Sequence, residues 1–237
     1  MNDPVDSESF VSDGNIGNTL HKKEFWIKEN LKYNRPHYRL EKSARIINRL
    51  ARGKRYTLLD VGCGPATLMP LLRPNIQYYG IDIAIRDPAP NLIEADFLES
   101  PIQFDGKRFD IVIAQGVFEY VGEFQSQKFA EIAQLLNEGG IFVVSYVNFD
   151  HRKRDIYWPY SNVQPFNEFR RSLAEHFEIR RFFPTSYNWN HWEPNRRLLR
   201  AANMHINVYI PIIGPVLAVE YFLICSARDS IKPGTRP

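Results

Sequence analysis

Between residues 56 and 150 the chain alternates short apolar runs with stretches of helical or turn character. The runs are Leu58-Leu59-Asp60-Val61, Gln77 to Ile83, Ile93 to Leu98, Phe109 to Val117 and Ile141 to Ser145. Runs of this length without in-and-out alternation fit strands buried on both faces, and their interleaving with helices predicts a parallel sheet. Upstream, residues 20–51 carry two apolar faces at helical spacing. Phe25, Trp26, Ile27 and Leu31 form one, and Ile46, Ile47 and Leu50 the other, with a break at Pro36. Downstream, Phe166, Phe169, Leu173 and Phe177 recur every three or four residues and predict an amphipathic helix over 165–177. Strands are expected over 177–184 and 218–227.

Punctuation sharpens this pattern. After Asp60-Val61 the strand breaks into Gly62-Cys63-Gly64-Pro65-Ala66-Thr67, a turn expected to lead into a helix. Pro88 and Pro90 make 85–91 a surface loop, so the helix after it is short or missing. Gly139-Gly140 is expected to cap a helix and turn the chain into the next strand. Asp110 is expected to orient a strand entrance.

A glycine pair at the carboxyl end of a parallel strand is where open α/β sheets bind nucleotides. The dinucleotide fingerprint, however, places its third small residue where Thr67 stands, and here it comes one place early, at Ala66. Asp60, two residues before the first glycine, would repel a pyrophosphate and suits a cation or an ammonium group.

With those residues in place, Asp60-Val61-Gly62-Cys63-Gly64-Pro65-Ala66 resembles motif I of the class I S-adenosylmethionine-dependent methyltransferases. The resemblance extends through Gln77–Ile83, Ile93–Leu98, the motif IV-like Phe109–Val121 and Leu135–Ser145, and is strong over about 40–150. It implies an α/β fold: a Rossmann-like, seven-stranded, mostly parallel sheet with helices on both faces and an antiparallel last strand. S-adenosylmethionine is the implied cofactor. The residues implied to hold it are Asp60, Gly62, Cys63 and Gly64 in the turn, with Asp82 and Ile83 at the second strand end. Asp96, Phe97, Gln115 and Tyr38 complete the set: Asp82 for the ribose hydroxyls, Asp96 for the adenine amino group, Phe97 for the ring. Tyr33, His37 and Tyr38 resemble an aromatic lid ahead of motif I, though the same rings also suit packing of an extra helix.

The acceptor is less sharply drawn. Asp/Asn-Pro-Pro-Tyr, which grips exocyclic amines of nucleobases, is absent, and Ala114-Gln115-Gly116-Val117 stands in its place. Neither cysteine is placed for C5-pyrimidine chemistry. Tyr120 follows Glu119 where family members often carry histidine. His151, Glu119 and Tyr157 are the candidate catalytic residues, with His37 and His191 behind them. The expected activity is in-line methyl transfer to an oxygen or nitrogen of a small molecule: a natural product, a sugar or a lipid-linked acceptor. Methyl transfer to RNA or protein is the competing reading, from the basic stretches at 152–154, 170–171, 180–181 and 196–200. A non-catalytic partner-binding protein of the same fold comes third, and a dehydrogenase last.

Composition adds limits. A net charge of +3 does not by itself argue for nucleic acid, and DNA is not an expected partner. Two cysteines are too few for a disulfide framework, and reduced thiols point to a cytoplasmic protein without a metal site. The expected organisation is a mobile tail over 1–18, a helical lid over 19–52, the main domain over 53–228 and a tail over 229–237. An insertion over about 185–217 is expected to cap the substrate cleft. Its apolar end is interrupted by Pro211, Gly214 and Pro215, so it suits peripheral membrane contact rather than a span.

Overall fold

The fold is taken from a computed structural model, which describes residues 23–30, 38–99, 101–102, 104, 106–148, 164–185, 187–188, 203–204, 210–212 and 214–228. The two tails, Tyr33, His37, His151, Tyr157, His191 and most of the 185–217 insertion lie outside these residues.

The apolar runs become strands. β1 (Tyr56–Val61), β2 (Ile76–Asp82), β3 (Leu92–Glu94), β4 (Phe109–Ala114), β5 (Leu136–Val147), β6 (Phe177–Pro184) and β7 (Glu220–Ala227) form one sheet in the order β3-β2-β1-β4-β5-β7-β6. β1 to β5 pair in parallel, and β7 runs antiparallel to both β5 and β6. The order reverses between β1 and β4, which makes their carboxyl ends the switch point of the sheet.

Helices cover both faces. Tyr38–Leu50 (α2) lays Ala44 and Ile47 on Leu58, Ile111 and Val143. Gln125–Leu135 (α3) and Phe166–His176 (α4) pack Phe129, Ile132, Phe169 and Leu173 on the other face. Aromatic stacking binds that layer: Phe118 lies on Phe129 at 4.5 Å and Tyr146 on Phe169 at 3.8 Å between centroids. Lys23–Asn30 (α1) precedes them, and a short helix, Gly214–Leu217 (α5), leads into β7. Two-residue strands at Tyr187–Asn188 and Asn203–Met204 pair within the insertion.

Two expectations are corrected. No α-helix follows the glycine turn; residues 62–75 cross from β1 to β2 through turns and a single 3-10 helix at Met69–Leu71. Pro70 has no N–H to continue a helical ladder, so the bonds run three residues back, Met69 N–H to Ala66 and Leu72 N–H to Met69. Gly139-Gly140 is not a helix cap. α3 ends at Leu135, β5 starts at Leu136, and the glycines fall in an irregularity of the β4–β5 register between Phe109↔Leu136 and Ile111↔Ile141. Gly139, at φ 70°, takes the bend there. Loop 85–91 forms as expected, with no helix between β2 and β3.

Candidate active site

β1 delivers the glycine turn to the switch point, and β2 fixes it. Gly62 and Cys63 N–H both donate to the Ile81 carbonyl, at 2.8 and 3.1 Å. The turn approaches β2 closely because Gly80 has no side chain: a Cβ there would lie 2.7 Å from Cys63 Sγ. Cys63 is therefore a packing residue, its buried thiol pushed up by desolvation; Cys63 and Cys225 are both unpaired thiols. Gly62 and Gly64 take φ values of 70° and 53°, and Ala66 shares that region at 52°.

Two carboxylates flank the turn. Asp82 accepts the Gly64 N–H at 2.8 Å and the Ala84 N–H at 2.9 Å, which fixes its plane at the end of β2 next to Ile83. Asp60 is buried and accepts a 2.8 Å bond from the Tyr78 hydroxyl. Desolvation, with a smaller push from Asp82, raises its carboxyl to about 7. Asp96 bonds the Leu98 N–H at 2.8 Å in a local turn. Phe97 points into the core, edge-on to Phe118 at 6.0 Å, with Lys128 Nζ 5.2 Å over its ring.

At the end of β4, Gln115 accepts a 2.7 Å bond from Ser43 of α2, and Gly116 N–H donates to Ser145 of β5 at 3.0 Å. Next comes a buried charge cluster. Arg39, at the start of α2, donates a 2.6 Å charged bond to Glu220 at the start of β7. Burial opposes the guanidinium charge, but Glu220 and then Glu119 more than offset it and hold Arg39 above its usual range. Glu119 Oε1 accepts the Val147 N–H at 3.0 Å. Burial first, and the charge of Glu220 second, push the Glu119 carboxyl to about 7. Glu119 Oε2, Gln115 Nε2, Asn148 Oδ1 and Thr185 Oγ1 are buried with no hydrogen-bond partner among the described residues. These four lie just beyond β4, β5 and β6, at the carboxyl edge of the sheet, and Gln125 Oε1 at the start of α3 is a further such atom; this edge is ground suited to another polar group.

α1 comes over this end. Lys23 pairs with Glu94 at the end of β3, and Trp26 meets Tyr120 edge-on at 5.2 Å. Tyr38 is exposed at the start of α2. Of the candidate catalytic residues, only Glu119 is described, and the sequence reading missed Arg39, Ser43, Tyr78, Glu220 and Trp26. Asp110 does orient a strand entrance, taking Thr57 N–H at 2.8 Å and Asn137 Nδ2 at 3.1 Å. Among the described residues, no three His, Cys, Asp or Glu side chains group as a metal site requires, and no helix is long and apolar enough to cross a membrane.

Comparison with known proteins agrees with this geometry. Residues 35–209 match the family described as Methyltransferase domain. No curated protein matches the sequence. Among solved structures, a SAM-dependent methyltransferase from Archaeoglobus fulgidus is similar at TM-score 0.59 and 17% identity, covering 87% of this chain and 100% of that one. A methyltransferase bound to the Haloferax volcanii Trm112 methyltransferase activator gives 0.60 at 14% identity, over 92% and 99% of the two chains. The N-methyltransferase NodS from Bradyrhizobium japonicum, in complex with S-adenosyl-L-homocysteine, gives 0.51 at 12% identity, over 90% and 96%. The chain belongs to the class I S-adenosylmethionine-dependent methyltransferases.

Proposed function

We propose that the chain moves a methyl group to an oxygen or nitrogen of a small molecule, natural-product, sugar or lipid-linked. The observation that carries the reading is the unpartnered Oε2 of buried Glu119, with the unpartnered Nε2 of Gln115 from the same connection after β4. A donor and an acceptor at the strand ends suit one compact polar group, held where water is excluded.

The residues of the turn fit the cofactor. Gly62 and Gly64 give the turn its left-handed backbone, Asp82 is pre-oriented for ribose hydroxyls, and the carboxyl of Asp60 complements an ammonium group. Gln115, Ile83, Asp96 and Tyr38 complete the proposed cofactor set; Gly64 contributes backbone, while Cys63 and Phe97 support the wall by packing. When bound, S-adenosylmethionine supplies a methyl group on a sulfonium as electrophile. Glu119 orients the acceptor and, where the acceptor carries a proton, takes it on Oε2. A carboxyl raised to about 7 is matched to that task near neutral pH. His151 and Tyr157, outside the described residues, are the other candidates. Trp26 and Tyr120 act as a lid that closes over the reacting groups.

The test is calorimetric titration with S-adenosylmethionine and S-adenosylhomocysteine for the wild type and Asp82→Ala, followed by a labelled-methyl screen of small amines and alcohols with Glu119→Gln. Binding lost in Asp82→Ala, and a rate reduced about 10²-fold or more in Glu119→Gln, support the reading. Labelled methyl found only on RNA or protein overturns it. That second reading, transfer to RNA, is favoured by one observation, the run of Arg45 and Arg49 on α2 with Arg52 just beyond it, all exposed.

A further inference from the structure

We propose that the solvent side of α2 is a docking groove for the phosphate backbone of single-stranded RNA. Between residues 38 and 55 the chain carries seven Lys or Arg and one acid, Glu41, against a whole-chain charge of +3, which leaves the remainder net acidic. The helix sorts these charges. Its apolar side, Ala44 and Ile47, is buried in the sheet. Lys42, Arg45, Arg49 and Arg52, three or four residues apart, line one long groove with Asn48 and with Arg73 from the β1–β2 connection. The groove holds about 460 Å³. A second depression of about 440 Å³ is lined by Arg55, Pro74 and Asn75 together with the carboxylate of Asp110.

The groove is built rather than incidental. Asn48 Nδ2 donates to the Leu71 carbonyl at 3.0 Å, and Arg73 N–H donates to Asn48 Oδ1 at 2.9 Å. These bonds hold the β1–β2 connection against α2 and set Arg73 opposite the helix arginines. Lys42 anchors the upper end through the carbonyls of Pro184 and Thr185. Among the described residues, the one ion pair made by these five cations is Arg45 with Glu41, a 3.7 Å contact between exposed side chains, which water largely screens. Four guanidiniums therefore face solvent with little neutralising charge.

Arginine forks favour phosphate oxygens over most other anions. From Lys42 to Leu50, where α2 ends, the helix rises about 12 Å and Arg52 lies just beyond it, long enough for more than one phosphate rather than one small anion. A bilayer is a poorer partner. The track is recessed, and none of the exposed large apolar side chains among the described residues (Ile27, Tyr38, Met69, Phe124, Ile212) lines it. A flexible single strand can follow the recess. Docking is independent of which acceptor takes the methyl group, so the test reads binding alone.

The experiment is fluorescence anisotropy of the full chain with a labelled mixed-sequence RNA of about 20 nucleotides, over roughly 50–300 mM KCl. With four arginine–phosphate contacts, log Kobs against log[KCl] should have a slope of about −3. The triple variant Arg49→Ala/Arg52→Ala/Arg73→Ala should keep its unfolding temperature, lose about tenfold or more in affinity at low salt, and flatten the slope by about 2. An acidic peptide and phosphatidylserine vesicles serve as comparison ligands. RNA affinity absent at low salt, a slope that the triple variant leaves unmoved, or preferential binding of vesicles or peptide overturns the proposal.

Discussion

The Tyr78 hydroxyl donates a 2.8 Å hydrogen bond to Asp60, one strand across and both side chains buried. This bond is the direct side-chain support of the carboxylate that precedes the glycine turn. Removing the hydroxyl leaves Asp60 to burial and the charge of Asp82, and its carboxyl rises further above about 7. Tyr78→Phe should therefore weaken S-adenosylhomocysteine binding at neutral pH by about 1–3 kcal/mol, with recovery as the pH is raised. Calorimetry from pH 6 to 9 checks it; identical profiles for the variant and the wild type refute it.

Asp60 and Glu119 together set an unusual pH dependence. Both are raised to about 7 in the folded chain, whereas unfolded carboxyls titrate near pH 4. Between those values the folded state holds more protons, so the stability these groups contribute is full below about pH 4 and is lost as the pH rises through 7. Asp110, which is lowered, acts oppositely, and its effect falls below that window. The unfolding temperature of the ligand-free protein should fall between pH 5 and 8. Asp60→Asn with Glu119→Gln should flatten that fall.

Arg39 ties the start of α2 to β7 through Glu220, which is 2% exposed. Arg39→Ala would leave Glu220 buried beside Glu119 without its counter-charge, at a cost of about 3–5 kcal/mol. Arg39→Met/Glu220→Leu should restore most of it, because paired apolar replacement removes both desolvation terms. Urea denaturation of the three proteins measures the difference.

Gly62 has φ 70°, and a Cβ there would lie 2.4 Å from Val117 Cγ2. Gly62→Ala should destabilise by about 1–3 kcal/mol through strain and crowding. Adding Val117→Ala should recover the crowding share, leaving the backbone share. Chemical denaturation of the single and double variants separates the two.

The parallel strands were legible because Leu58-Leu59, Tyr78-Tyr79 and Ile111-Val112-Ile113 are apolar with no alternation, and only a strand covered on both sides tolerates that. The turn was legible from glycine spacing. The helix expected after it fails at Pro70, whose effect outweighs the fold's habit. The Gly139-Gly140 irregularity was hidden because a glycine pair after a helical run reads equally as a cap. Arg39 and Glu220 stand 181 residues apart, so no local pattern links them. Tyr78 read as one more apolar strand residue, and its hydroxyl's partner appears only once β1 and β2 lie side by side. The basic positions of α2 are plain in the sequence, but their convergence with Arg73 needs the fold.

The connections on the cofactor side of the sheet are built without α-helix: 62–75 joins β1 to β2 and 83–91 joins β2 to β3. Their cover comes from scattered side chains such as Ala66 and Leu68 and from turns with few repeating backbone bonds. Such segments open at lower free energy than packed helices. In hydrogen–deuterium exchange their amides should therefore be the quick ones of the sheet. A bound nucleoside laid across them would slow that exchange, taking over part of the bracing that a helix gives elsewhere in the fold.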